Sequence, residues 1–287
     1  MIIVSGATGK LGHLIVQKLL GRLPLSQIGA SVRDRMKATE LVARGVSVRQ
    51  ADFDDPASLR DAWQGATTLL LVSSNAAARG GDPLAQHDNA IQAAKAIGIQ
   101  RIVYTSQFSA SPHSAFPPGR DHAATEAMLA ASGLRWTALR NGFYAASALD
   151  LLRPALASGV LDIVGDGKVA WTTHDDLAEA AAVVLTTDTA NGPTAPLTGT
   201  EALDFATLCQ LVSDSGNPLR HEVISAETLQ RKMASFGVPQ GVIDIAHGLY
   251  TAAAAGEFAT TDDALTQLLG RPPQSMRAVL TEAFARS

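Results

Sequence analysis

The chain opens Met1-Ile2-Ile3-Val4-Ser5-Gly6-Ala7-Thr8-Gly9-Lys10-Leu11-Gly12 and runs on through His13-Leu14-Ile15-Val16-Gln17-Lys18-Leu19-Leu20. A short apolar run of strand character enters three glycines spaced G-x-x-G-x-x-G and leaves as a helix. Gly6 permits the tight turn, Gly9 lets a ligand approach the backbone, and Gly12 lets the helix pack closely on the strand. The free N–H groups and the dipole at the start of such a helix favour negative charge. A lone set of glycines is a surface turn as often as a site. With a strand before and a helix after, Gly6, Ala7, Thr8, Gly9, Lys10, Leu11 and Gly12 read as a cradle for a pyrophosphate.

Strand and helix then alternate. Strand-like runs lie at 28–32, 46–49, 68–72, 101–105 and 135–139, and helical patterns at 35–44, 56–63, 83–97 and 121–131. Asp55-Pro56 marks a helix start, and Gly45, Gly65, Gly98 and Gly133 follow helix ends. This rhythm predicts an α/β fold with a doubly wound parallel sheet, whose ligands belong at the carboxyl ends of the strands. After Tyr144 the rhythm breaks. A helix through Leu151, a turn at Gly165-Asp166-Gly167, a strand over 169–172 and a helix from Asp175 are expected. Beyond Leu203 the pattern is mostly helical, with one strand candidate at 221–224. The expected division is a nucleotide-binding domain of residues 1–147 with 169–200, and a smaller cap of residues 148–168 with 201–287.

Composition excludes several function classes. The 287 residues carry a net charge of −4, so neither a nucleic-acid footprint nor a polybasic membrane surface is present. No apolar run approaches the length of a membrane span. The first strand starts at residue 2 with the glycine turn directly behind it, which leaves no room for a leader, and a cytoplasmic protein is expected. The one cysteine, Cys209, has no partner for an internal disulfide. The seven histidines are scattered without metal-ligand spacing, so no metal is expected, and no Gly-x-Ser-x-Gly elbow supports a serine hydrolase. The oligomeric state is open, a homodimer among the options.

The end of the second strand discriminates between nucleotides. An acidic side chain there suits the ribose 2′-hydroxyl of NAD, whereas cations suit the 2′-phosphate of NADP. This chain reads Ser31-Val32-Arg33-Asp34-Arg35, with Lys37 close behind. Arg33 stands where a guanidinium can pair with a phosphate, which favours NADP(H), although Asp34 lies near enough to complicate the reading. At the end of the third strand, Asp52 and Phe53 are expected on the adenine side, while Asp54 or Asp55 suits a helix cap.

The opening glycine motif, the Arg33 position, His122-Ala123-Ala124-Thr125-Glu126, Arg140-Asn141-Gly142, Gly165-Asp166-Gly167-Lys168 and Leu269-Gly270-Arg271-Pro272-Pro273 resemble one group over essentially the whole chain. It is the NmrA-like branch of the atypical short-chain dehydrogenase/reductases, and within it the bacterial NAD(P)H:quinone oxidoreductases and triphenylmethane reductases. The resemblance implies a Rossmann-type fold with NADPH lying against Gly6 to Gly12, Arg33, Ser73, Ser74 and Asn75. It further implies contacts along the strand end from Thr137 through Arg140 and Asn141 to Gly142, and with Lys168.

One expected feature is missing. Typical members of the superfamily use Tyr-x-x-x-Lys, the lysine lowering the phenol pKa for proton transfer at a substrate carbonyl. Four residues after Tyr104, Tyr144 and Tyr250 stand Phe108, Ala148 and Ala254. An ordinary alcohol or ketone needs that acid–base help. A quinone or a delocalised dye cation is already a strong hydride acceptor and reacts when stacked on a nicotinamide away from water. The expected partner is therefore a small aromatic or quinone acceptor, with His122, Asn141 and Tyr144 in catalytic positions and Phe143 and Tyr144 as an aromatic wall. His122 is expected to donate a proton or hold substrate oxygen, because histidine changes charge near neutral pH. The bland alternatives are a surface histidine, a turn asparagine and core aromatics. Ser106, at a strand end but without a tyrosine partner, is given only a positioning role. The competing function is a non-catalytic NADP(H) sensor of the NmrA type.

Overall fold

The computed structural model describes residues 1–188 and 191–284. Through its first half the chain alternates as its hydrophobic rhythm dictates. The elements are β1 (Ile2–Ser5), α1 (Lys10–Leu20), β2 (Ile28–Val32), α2 (Thr39–Ala43), β3 (Ser47–Gln50), α3 (Pro56–Trp63), β4 (Thr68–Leu71), α4 (Pro83–Ala96), β5 (Arg101–Gln107), α5 (Pro117–Ala131) and β6 (Arg135–Asn141). Then come β7 (Phe143–Tyr144), α6 (Ala145–Ala155), β8 (Val160–Ile163), β9 (Trp171–Thr172), α7 (His174–Thr186) and β10 (Gly192–Pro193). The chain finishes with α8 (Phe205–Asp214), β11 (Arg220–Val223), α9 (Ala226–Ser235), α10 (Gln240–Ala254), α11 (Ala264–Leu269) and α12 (Met276–Phe284).

Seven strands form one parallel sheet in the order β10-β6-β5-β4-β1-β2-β3. Every residue of β1, β2 and β5 is buried, as expected where helices cover both faces of a parallel sheet. One face packs on α1, α7 and α11 through Leu11, Ile15, Leu19, Leu177, Ala181 and Leu265. The other packs on α3, α4 and α5, with Trp63 at its centre donating its indole N–H to Ser31 Oγ at 3.0 Å. From β1 the strands are added outward to β3 on one side and, from β4 on, outward to β6 on the other, so the sheet's topological switch point lies between β1 and β4, beside the glycine turn.

Beyond the sheet the structure departs from the sequence reading in detail. The strand expected over 169–172 is only Trp171–Thr172, while Val169 bridges antiparallel to Leu203. The strand candidate at 221–224 exists as β11, but its parallel partner β8 was not expected. Helix α5 begins at Pro117, four residues before the expected start, because a proline in the first turn needs no N–H partner. A third core joins α6, α8, α10 and α12 through Leu152, Phe205, Leu208, Tyr250 and Leu280.

The Gly165-Asp166-Gly167 turn is a joint of this third core. Asp166 accepts from the Phe205 and Ala206 N–H groups at 2.8 and 3.2 Å, capping α8. A Cβ on Gly167 would overlap the Ala253 carbonyl of α10. Gly167→Ala is therefore expected to destabilise the protein by about 1–3 kcal/mol, read as a lowered urea midpoint. An unchanged midpoint would show that the joint has room to move.

Candidate active site

The glycine turn does what its spacing demands. Gly6 has φ +58°, which only glycine adopts without strain, and its carbonyl accepts from Gly9 N–H at 2.9 Å. A Cβ on Gly12 would sit 2.5 Å from the Gly6 carbonyl oxygen, so α1 can reach the turn only without a side chain there. Gly9 occupies the N-cap of α1 and supplies no side-chain cap. The first N–H groups of α1 therefore face the switch point with no capping oxygen, the arrangement that receives a phosphate.

A cleft of about 440 Å³ runs along these strand ends. Arg33 and Lys10 line it, and so does Arg79 from the turn after β4. Asp34 caps the turn that follows, its carboxylate accepting from Met36 N–H at 2.9 Å, and it forms no ion pair with Arg33. Asp52 accepts from Asp54 N–H at 3.1 Å and, with Phe53, forms the cleft wall at the exit of β3. The floor is fixed from below. Thr105 Oγ1 accepts from Ser73 N–H at 2.8 Å, and His87 Nε2 accepts from Ser74 N–H at 2.9 Å.

At its inner end the cleft meets a second pocket of about 460 Å³, and Ser73 and Tyr144 line both. The Tyr144 ring lies against His174 with centroids 4.2 Å apart, and burial raises its phenol pKa, with the Asn141 amide beside it opposing. The second pocket is mainly apolar, walled by Phe116, Phe143, Leu151, Met233, Ile245 and Leu249. Phe143 also packs against Phe116, Trp171 and Phe258 at 5.1–5.5 Å, so it is wall and core at once. Its polar lining comprises Ser73, Ser106, Ser147, Asp150, His122, Tyr144 and two amides. Gln107 Nε2 and Asn141 Oδ1, neighbours at the ends of β5 and β6, are buried without a hydrogen-bond partner. The Gln107 orientation is set because its Oε1 accepts from Ser109 N–H at 3.0 Å. A buried donor and a buried acceptor left open are costly, and a polar ligand edge would relieve both.

His122 lines this pocket from α5, with Nδ1 2.8 Å from the Tyr104 hydroxyl. Burial, with His87 nearby, pushes its pKa down to about 3. The sequence expectation that His122 changes charge near neutrality is thereby corrected: it is a neutral imidazole at physiological pH.

Three further expectations fail on geometry. Arg140 is turned from the cleft and pairs with Glu126 at 2.7 Å, the same carboxylate that accepts from Ser106 Oγ. Thr137 is buried in the body of β6, its hydroxyl accepting from Arg101 at 3.3 Å. Lys168 is exposed beside the α8 joint, close to Asp204, and lines neither pocket. Gly142 borders the second pocket, but the space it saves is filled by Thr172 and Leu197. Gly6, Thr8, Gly9, Lys10, Leu11, Gly12, Arg33, Asp52, Phe53, Ser73, Ser74 and Asn75 line the first cleft, with Ala7 buried beneath the turn.

Sequence reading missed Arg79 and His174, and gave Gln107 no role of its own. Gln107 was within reach of the rule that found Asn141, had β5 been carried two residues further. His174 offered no signal, since α7 approaches the cleft only through tertiary packing on α1. Among the described residues no group of three or more His, Cys, Asp or Glu is arranged to hold a metal, and no helix is long and apolar enough to cross a membrane.

The buried histidines give a pH signature. His87 is lowered to about 4, burial outweighing Asp82, and His122 to about 3. Both folded values lie below the unfolded value of 6.5, so the unfolded chain binds more protons in between. Their contribution is present above about pH 6.5 and is lost as pH falls, at about 1.4 kcal/mol per unit for the fully buried His87. The urea midpoint is expected to decline from pH 6.5 to 4, less steeply in His87→Gln; a parallel decline in both proteins would contradict this assignment.

Comparison with known proteins agrees with the geometry. A family model described as NAD(P)H-binding matches residues 6–188. Quinone oxidoreductase 2 of Escherichia coli K12 is 37% identical over 286 residues, 99% of each chain. The structure of the E. coli NADPH-dependent quinone oxidoreductase with NADPH superposes with a TM-score of 0.92 over 99% of this chain and 100% of that one. The Citrobacter triphenylmethane reductase complexed with NADP(H) is 33% identical, with a TM-score of 0.88 over 99% of this chain and 100% of that one. The cleft with its uncapped helix and the whole-chain likeness agree: this chain belongs to the NAD(P)H-binding, NmrA-like family of oxidoreductases.

Proposed function

We propose that this protein is an NADPH-dependent oxidoreductase that passes a hydride directly to a quinone or a similar flat, electron-poor acceptor, without flavin. The observation that carries the reading is the junction of the two pockets. The phosphate cleft ends where an apolar pocket of acceptor size begins, and Tyr144 and Ser73 belong to both. The relatives named above for quinone reduction support it.

The residues present fit the cofactor. The N-terminus of α1 and Lys10 suit its pyrophosphate, Arg33 at the end of β2 supplies a cation for the 2′-phosphate, and Arg79 adds a second guanidinium to the same cleft. Bound NADPH supplies the hydride. The protein's part is to hold the acceptor flat against Phe143 and Tyr144 and to exclude water with α9 and α10, whose Met233, Val242 and Leu249 close the pocket. Hydride plus one proton converts a quinone to its hydroquinone. A neutral His122 cannot give up its remaining N–H proton at accessible pH, so its role is to hydrogen-bond the oxygen that gains charge, and the reduced product takes its proton from solvent as it leaves the pocket. Such a site needs no Tyr-x-x-x-Lys pair.

The test is NADPH oxidation in the presence of a naphthoquinone, with NADH alongside. Turnover with NADPH preferred is expected. Binding of both redox forms without turnover across several flat acceptors would replace the enzyme by a redox sensor. Arg33→Ala is expected to raise KM for NADPH about tenfold or more while changing that for NADH little; equal losses would refute the 2′-phosphate assignment.

A further inference from the structure

Beneath the second pocket runs a chain of polar side chains of which the proposed reaction uses only the last. It contains His87, Thr125, Tyr104 and His122, contributed by α4, α5 and β5. Its protons can be placed one by one. Ser74 N–H must donate, so His87 Nε2 accepts at 2.9 Å. Since His87 is neutral, its proton lies on Nδ1 and is donated to Thr125 Oγ1 at 2.8 Å. Thr125 in turn donates to the Asp121 carbonyl at 2.8 Å, which leaves it no proton for Tyr104.

Tyr104 is fully buried, and its hydroxyl is 2.8 Å from His122 Nδ1. Burial raises the phenol pKa far above its ordinary value, so the proton stays on oxygen. A buried hydroxyl that cannot reach water must donate to an acceptor within the protein. The contact of hydrogen-bond geometry that this hydroxyl makes is the one to His122 Nδ1 at 2.8 Å, while the neighbouring Thr125 oxygen already receives the His87 proton, so the acceptor is His122 Nδ1. With Nδ1 accepting, the single proton of the neutral ring lies on Nε2. Among the described residues no protein group bonds Nε2, and the ring borders the acceptor pocket.

We propose that Tyr104 is a positioning residue that locks His122 in the Nε2–H tautomer, so that the ring presents a fixed hydrogen-bond donor to the acceptor's carbonyl oxygen. This rests on the hydride-transfer reading for its consequence, though the lock itself is a property of the protein alone. As hydride arrives, that oxygen gains negative charge, and a preoriented N–H stabilises it without reorganisation. The opposite tautomer would turn a lone pair toward the same oxygen and repel it. A phenol buried beneath the pocket thus acts through an imidazole, where the wider superfamily places a phenol directly on substrate.

The test combines nitrogen-15 NMR of the histidine rings with kinetics, on wild type and Tyr104→Phe saturated with NADP+. Wild type is expected to show His122 protonated at Nε2 and unchanged between about pH 6 and 8. Tyr104→Phe is expected to populate the Nδ1–H tautomer and to lose about tenfold or more in kcat for a naphthoquinone, with KM for NADPH unchanged. His122→Gln, which keeps an N–H donor, is expected to retain more kcat than His122→Leu. A wild-type His122 protonated at Nδ1 overturns the proposal, even if Tyr104→Phe fails to fold. So does a Tyr104→Phe variant with wild-type tautomer and kcat. If wild type shows the Nε2–H tautomer, lost in Tyr104→Phe, but reduces no quinone, the lock stands and the hydride-transfer reading falls.

Discussion

The approach of α1 to the glycine turn is the contact on which the site depends. A Cβ on Gly12 would lie 2.5 Å from the Gly6 carbonyl oxygen, and Gly6 itself turns at φ +58°. That contact sets the helix end, with its uncapped N–H groups, directly over the carboxyl ends of β1 and β4. The cleft follows from it. So does the placement of α7, which packs along α1 and delivers His174 to the Tyr144 ring. Moving α1 outward would separate the phosphate cradle from the acceptor pocket.

The second pocket works by what it leaves neutral. Its histidine is uncharged, its tyrosine is held protonated by burial, and amides and serine hydroxyls make up its other polar edges, with the exposed Asp150 carboxylate on its lining. A site of this kind offers hydrogen bonds and a low-dielectric surface, and no general acid of ordinary strength. On the proposed function, that suits acceptors whose reduced form is stable and disfavours simple alcohols and ketones.

Much of this was legible in the chain. The motif from Gly6 to Gly12, the strands of the main sheet from β1 to β6 and the cation at Arg33 follow from local spacing, and each lies where the spacing placed it. What was not legible depends on which way a side chain turns once tertiary contacts form. Arg140 sits at the right strand end but answers to Glu126, and Lys168 follows a glycine turn that serves as a packing joint. His122 was found, but its charge was misjudged, because only the folded chain removes water from it. Strand β8 escaped because its partner β11 lies far along the sequence.

In the proposed reaction, hydride passes directly from the nicotinamide to an acceptor lying in the pocket beside Tyr144. It is tested most directly by single-turnover stopped flow with NADPH deuterated at the transferring position of nicotinamide C4. A primary isotope effect of several-fold on naphthoquinone reduction, in protein whose spectrum has no flavin band, is the predicted result. Reduction that proceeds only after flavin is added, or cofactor that binds and is never oxidised, would contradict the account.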